Sequence, residues 1–342
     1  MRFISLGNED EIMRQEALYY CSACYSCAMR CPAGIKVTNV IRDLRNVMVD
    51  RQIGPLPPHL ELVGSVRNYD NPWQKPRAQR DRWVKKARVR MKVVPGEEAE
   101  FLYYPGCTAA YIPAIQNVAV SAAKLLDALG VDFGILGKDE ICCGSTSMRV
   151  GMRDFFIRQA ERNIERLNAS KARVMVTACA GCYGIMKLEY PKFGELNMEV
   201  LHIVEFLSRL LMERRDRLHP LDLAVTYHDP CHLARHAGVT KEPREVLSLI
   251  PGLRFIEMPR SGVDGRCCGG GGGLRTGYPH IAHMIASERI EEAVEAGAEA
   301  VITCCPFCEL NLGEASAASY GIEVFDIVEI LWRSVGGDLS SV

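Results

Sequence analysis

Five cysteines in one arrangement occur twice along this chain, and the doubling constrains the fold more tightly than any other feature. The first copy is Cys107, the adjacent pair Cys142 and Cys143, then Cys179 and Cys182 in a C-x-x-C. The second is Cys231, the pair Cys267 and Cys268, then Cys305 and Cys308. Corresponding positions lie 124 to 126 residues apart, so the register holds across a third of the 342-residue chain. Thiols kept only for packing have no reason to keep such spacing. Two soft-metal sites carried by an internal duplication do.

The segments around these cysteines alternate between strand and helix patterns. FLYY at 101–104 reads as a strand ending at Pro105-Gly106, Ile112 to Leu129 as a helix stopped by Gly130, and VDFGIL as a second strand. Asp154 to Leu167 reads as a helix and RVMVT at 173–177 as a third strand. The second copy repeats the order with LAVTYH, a helix within 242–250, LRFIEM, a long helix within 279–297, and AVITC. Such alternation predicts an α/β fold of two pseudo-symmetric Rossmann-like βαβ repeats, 99–219 and 220–342, each on a parallel sheet. The cysteines fall just after strands or at the starts of helices, where open α/β sheets hold ligands and helix N-termini favour thiolates.

Ahead of the repeats, residues 1–50 carry Cys21, Cys24, Cys27 and Cys31 and are expected to form a small α-helical ferredoxin-type domain. Residues 51–98 read as a proline-rich connecting arm. From Gln74 to Lys92 it holds nine Lys or Arg and one acid, Asp81, with a single aromatic, Trp83, too few to interleave with the charges, so a solvated or partner-facing arm is expected rather than nucleic-acid binding. Lys plus Arg is 41 against 42 for Asp plus Glu, so net charge selects no partner class. No apolar run reaches signal-peptide or membrane-span length, which predicts a cytoplasmic protein meeting a membrane only through a partner. In a reducing compartment, dense C-x-x-C cysteine signals metal or redox chemistry rather than a disulfide framework.

Cysteine thiolates select zinc, copper(I) or iron–sulfur clusters. Zinc closes a structural site with four ligands, and two neighbouring cysteines rarely both reach one small ion. They can hold different irons of one cluster. Gly144 and Gly269, after each pair, remove side chains beside the sulfurs and leave backbone N–H groups to bond a cluster. The alternative, a glycine-rich loop with packing thiols, would have to occur twice in register.

The arrangement resembles the duplicated CCG domain, the cysteine-rich module of the B and D subunits of heterodisulfide reductase, over roughly 99–335. It is similar also to iron–sulfur subunits of lactate, glycolate and glycerol-3-phosphate oxidation. The resemblance implies two noncubane [4Fe-4S] clusters, one held by Cys107, Cys142, Cys143, Cys179 and Cys182, the other by Cys231, Cys267, Cys268, Cys305 and Cys308. In the B subunit such clusters face each other and split a disulfide, taking one sulfur each. Cys304, beside Cys305 where the first copy has Ala178, leaves the choice between the two cysteines open. CSACYSCAMRCP at 21–32 is the ferredoxin run for a cubane [4Fe-4S] cluster. The stretch after it resembles the segment after the second motif of the C subunit. Either Cys31 completes the cluster of Cys21, Cys24 and Cys27, or a partner chain supplies the missing half; a single cubane cluster on all four is the preferred reading, with zinc as the alternative.

His228, His232 and Arg235, near Cys231, are candidate substrate-side residues, although Asp229 as a helix cap and His228 as a satisfied core histidine are the simpler readings. The expected function is the catalytic iron–sulfur subunit of a heterodisulfide-reductase-like complex. It would be fed by a flavin or ferredoxin-type iron–sulfur subunit and act on a small disulfide or thiol. The rival is an electron relay from a flavin-dependent hydroxy-acid dehydrogenase to a quinone or cytochrome. A sealed gap between the two sites would favour the relay.

Overall fold

The computed structural model describes residues 7–8, 11–12 and 16–337. Strands β1 (Lys92–Val93), β2 (Phe101–Tyr103), β3 (Phe133–Ile135), β4 (Val174–Thr177) and β5 (Glu199–His202) form one parallel sheet in the order β1-β3-β2-β4-β5. Strands β6 (Leu223–His228), β7 (Leu253–Phe255), β8 (Ala300–Thr303) and β9 (Glu323–Asp326) form a second in the order β7-β6-β8-β9. With β1 set aside the two orders are the same, so the duplication read from the cysteines is one of topology. Every pairing is parallel, and from β2 onward a helix intervenes between successive strands and covers a sheet face. The inner strands are apolar in consequence: all four residues of β8 are buried.

The duplication reaches the caps. β5 runs straight into the helix Ile203–Met212, and the sequence NMEVLHIVEFL reads as one apolar run that hides the change. His202 makes the break by accepting from Val204 N, while Glu205 accepts from His202 N at 2.9 Å. Asp326 and Glu329 do the same between β9 and the helix Ile327–Ser334, with Asp326 accepting from Val328 N at 3.1 Å. These capping boxes define β5 and β9, strands absent from the periodicity of the sequence.

The basic arm is not simply solvated. Its helices Pro57–Tyr69 and Arg82–Ala87 lie against the repeats, and β1 extends the first sheet beside β3. Trp83 is 2% exposed and meets Tyr103 edge-on at 6.0 Å, and Arg80 is 1% exposed. Basic residues are dense here, yet Val63, Val66, Trp83 and Ala87 are buried, and these apolar side chains decide the packing.

The N-terminal segment has its own small apolar cluster of Ile12, Tyr19 and Met48. Its helix Val37–Asp50 is fastened by one buried guanidinium. Arg45 donates to Leu18 O and Cys21 O on its own segment, to Arg149 O in the first repeat at 2.7 Å and to Gly272 O in the second at 2.8 Å. Three parts of the chain meet at this cation. Among the described residues no helix is long and apolar enough to cross a membrane.

Candidate metal centres and the cavity between them

Each five-cysteine set assembles at the carboxyl ends of its sheet. Cys107 lies in the helix Gly106–Tyr111 after β2, and Cys231 opens the helix Cys231–Ala237 after β6. Cys179 and Cys305 are the N-cap residues of the helices after β4 and β8, with Cys182 and Cys308 in their first turns. The adjacent pairs come from the loops after β3 and β7. In the first set Cys182 donates to Cys143 at 3.4 Å. Hydrogen bonds with Cys142 and Cys182 pull the Cys143 thiol well below its ordinary range. Cys268 is held low in the same way by Cys267 and Cys308. The two sets thus share an internal geometry, with the second cysteine of each pair at the centre.

They also touch one another. Cys179 lies beside Cys305 across the repeat boundary, and its influence, before that of Cys308, holds Cys305 well below the thiol range. Cys304 is placed elsewhere: it is buried against the Tyr227 hydroxyl and Asp326, with burial pushing its thiol up. Cys305 is therefore the member of the set. At the other end, Cys24 of the N-terminal run lies beside Cys267, which raises the Cys24 thiol and, after the larger effect of Cys231, lowers that of Cys267. Cys21 accepts from Ala23 N at 3.4 Å, Cys27 lies 3.5 Å from Thr38 Oγ1, and Cys31 ends the helix Ser26–Arg30.

The predicted glycines behave as the spacing requires. Gly144 N and Gly269 N donate to Cys142 Sγ at 3.5 Å and Cys267 Sγ at 3.3 Å, both glycines at φ of +80°. A Cβ on Gly144 would stand 2.8 Å from Phe156 Cδ2. Gly144→Ala is expected to cost about 1–3 kcal/mol and lower the melting temperature. Gly238→Ala, at +77° but with nothing within 4 Å of the new Cβ, should lose only the backbone part. Equal losses in calorimetry would show that the Phe156 contact yields.

One cavity of about 420 Å³ is lined by cysteines of both sets, among them Cys107, Cys143, Cys182, Cys231, Cys268 and Cys308. Its wall includes Trp73 and Phe307 and runs out to the exposed Pro58, Glu61 and Gln74 of the arm. The gap between the sites is open, not sealed. Of the three candidate substrate-side residues only His232 lines it, with Nε2 lacking any hydrogen-bond partner. His228 is buried beneath the second set; its Nδ1 accepts from Arg289 at 3.3 Å, and its ligand atom lies within 4.8 Å of those of Cys268 and Cys308. Burial, then Arg289, pushes it down to about 3. Arg235 is committed to carbonyls, giving bonds to Cys24 O at 2.6 Å and Gly265 O at 2.5 Å, and so ties the N-terminal run to the loop before Cys267. Asp229 makes no helix cap: it pairs with Arg244 at 2.9 Å and accepts from Gly262 N at 2.7 Å.

Two neighbours of the sulfurs escaped the sequence reading. Arg80 donates to Cys107 Sγ at 3.4 Å while paired with Glu140, which also accepts from Gly106 N at 3.1 Å. Nothing distinguishes it in sequence from the basic residues around it. Arg149 lines the cavity, and its recurrence as Arg275 after the second pair was a signal the cysteines overshadowed.

The pattern of a cysteine-rich domain called CCG matches residues 101–187 and again 225–313, each span holding one five-cysteine set. The chain belongs to the CCG family. The D subunit of the dihydromethanophenazine:CoB–CoM heterodisulfide reductase of Methanosarcina barkeri is 36% identical over 329 residues, 94% of this chain and 79% of that protein. The B subunit of the fumarate reductase (CoM/CoB) of Methanothermobacter marburgensis is 33% identical over 99% of this chain and 67% of its own length. The probable iron-sulfur-binding oxidoreductase FadF of Bacillus subtilis is 33% identical over 96% of this chain but 48% of itself. A Helicobacter pylori protein of known structure, 12% identical, superposes with a TM-score of 0.53 over 85% of this chain and 58% of its own, a likeness of fold alone. As a donor set each CCG repeat offers five buried or half-buried thiols with amide N–H groups on the sulfurs, which suits an iron–sulfur cluster better than a four-coordinate zinc.

Proposed function

We propose that this CCG protein is the catalytic iron–sulfur subunit of a heterodisulfide-reductase-like complex. An iron–sulfur redox subunit is what its relatives have in common; disulfide chemistry is the finer reading. Its single strongest support is the open cavity lined by both five-cysteine sets. In this reading the sets hold one noncubane [4Fe-4S] cluster each, and Cys21, Cys24, Cys27 and Cys31 hold a cubane one. When bound, such clusters supply electrons singly and iron that binds sulfur. The chain's own residues do the rest. The Cys179–Cys305 contact holds the two sites in register. Trp73 and Phe307 give the gap apolar wall, and His232 offers a polar atom to whatever enters.

The net reaction is R–S–S–R′ + 2 e⁻ + 2 H⁺ → R–SH + R′–SH: the S–S bond breaks, each sulfur gains one electron and one proton, and the electrons come from a flavin or ferredoxin-type partner. The Cys24–Cys267 contact favours the second repeat as the site where they arrive. A cytoplasmic setting suits free thiols and such partners.

A second reading, an electron relay, is favoured by the similarity to FadF and to the EtfAB:quinone oxidoreductase of Syntrophomonas wolfei, 31% identical over 95% of this chain and 47% of that one. The test is anaerobic reconstitution followed by titration with disulfides under electron paramagnetic resonance. A new paramagnetic species that depends on the disulfide, with release of free thiol, is expected. Normal redox cycling with no response to any disulfide would favour the relay.

A further inference from the structure

Three residues before the first cysteine of each set the two repeats differ: Tyr104 precedes Cys107, and His228 precedes Cys231. A second difference goes with it. The helices Arg153–Ala169 and Pro279–Glu295 are both 17 residues long, and at matching positions they hold Asn163 and Arg289. In the first repeat both side chains are spent on the backbone of the paired-cysteine loop. The Tyr104 hydroxyl donates to Ile141 O, and Asn163 Nδ2 donates to Cys142 O at 2.9 Å. In the second repeat the two bond each other, Arg289 Nε donating to His228 Nδ1 at 3.3 Å. Arg289 is fully buried and is held in place by Arg260 O at 2.9 Å and Glu292 at 2.8 Å.

This bond fixes the tautomer. A guanidinium has no acceptor, so His228 Nδ1 carries the lone pair and Nε2 carries the proton. A ring nitrogen of His228 lies within 4.8 Å of both Cys268 Sγ and Cys308 Sγ. With Nδ1 turned to Arg289, the nitrogen left for the sulfurs is Nε2, which is buried and without a hydrogen-bond partner among the described residues. Ligation of a metal needs a lone pair, and Nε2 has none to give. A buried N–H left unanswered is costly, and a sulfur acceptor removes that cost. Resting on the second set's cluster but not on disulfide chemistry, we propose that His228, locked by Arg289, is a positioning residue that donates Nε2–H to a sulfur of that cluster. Such a bond favours the reduced, more negative state and raises the reduction potential. The first set takes its side-chain donor from elsewhere, Arg80 on Cys107 Sγ, so the two sets are tuned by different groups.

The test uses holoprotein labelled with ¹⁵N-histidine and reconstituted in H2O or in D2O. Electron–nuclear double resonance of the reduced protein should show a weak ¹⁵N coupling and a proton coupling that D2O removes, both lost in His228→Phe. In redox titrations followed by electron paramagnetic resonance, His228→Phe should lower one midpoint. The oxidised-to-reduced ratio of that cluster at a fixed potential should rise about tenfold, or about 59 mV for a one-electron couple. The cluster affected should be the one that Cys268→Ser removes. His228→Gln keeps an N–H donor and should recover part of the shift. Arg289→Met frees the tautomer and should weaken the proton coupling at parental iron content. A strong ¹⁵N coupling would make His228 an iron ligand and overturn the donor. Unchanged midpoints and couplings in His228→Phe, with iron at the parental level, would overturn it too. If Cys268→Ser loses no iron, the second cluster and the donor fall together. The midpoints are read without any disulfide present, so a shifted midpoint in a protein that reduces none leaves the donor standing and removes only the reductase reading.

Discussion

Arg80→Met should lower the unfolding free energy by about 3–5 kcal/mol in anaerobic urea titrations. The substitution keeps most of the apolar stem and removes the charge, which leaves Glu140 without its counter-charge in a site where its side chain is 2% exposed and burial already disfavours the carboxylate. The loss comes from that stranded carboxylate rather than from missing volume. The double variant Arg80→Met/Glu140→Leu removes both charges and should recover most of it, because a buried pair is stabilising mainly relative to half a pair. It does not restore the donor to Cys107 Sγ, so first-repeat spectroscopy should stay altered while stability returns. A loss under about 1 kcal/mol in the single variant would mean that water reaches Glu140.

With the three clusters proposed above, Cys143→Ser and Cys268→Ser should each remove one, taking anaerobic iron from roughly twelve to roughly eight atoms per chain, with acid-labile sulfide falling in step. Each is the central thiol of its set, bonded by its neighbour in the pair and by the last cysteine of the C-x-x-C. Serine is a harder and far less acidic donor and does not replace a thiolate toward iron. Cys304→Ser is the control. Its sulfur faces Tyr227 and Asp326, and its iron content should match the parent. Equal iron in all three would separate the adjacent pairs from metal binding, and zinc in place of iron would return the four-ligand alternative.

Much of the fold was legible because parallel βαβ units write themselves as alternating periods, and six of the nine strands among the described residues stand out that way. β5 and β9 did not, since each runs straight into a helix with only a single capping residue, His202 or Asp326, at the boundary. β1 did not because it is two residues long in a basic stretch. Arg235 and His228 illustrate a harder limit at the site. Both lie within four residues of Cys231, yet one is spent on backbone carbonyls and the other buried under the sulfurs. Sequence distance on a short helix does not tell which side faces the gap.

What the amino-acid order determined alone was the set of thiols: ten cysteines in two registers, four more in a ferredoxin run, and the glycines that free backbone amides beside them. Spacing carries that information because ligand geometry is local to each strand–helix junction. The tertiary structure decided what spacing cannot encode. It turned the two sets toward each other across Cys179 and Cys305, put Cys24 against Cys267, drove Arg80 onto Cys107, and gave Arg275 its carboxylate partner in Glu314. Those contacts join residues far apart in the chain, and only the packing of the repeats, the arm and the N-terminal segment onto one another brings them within bonding distance.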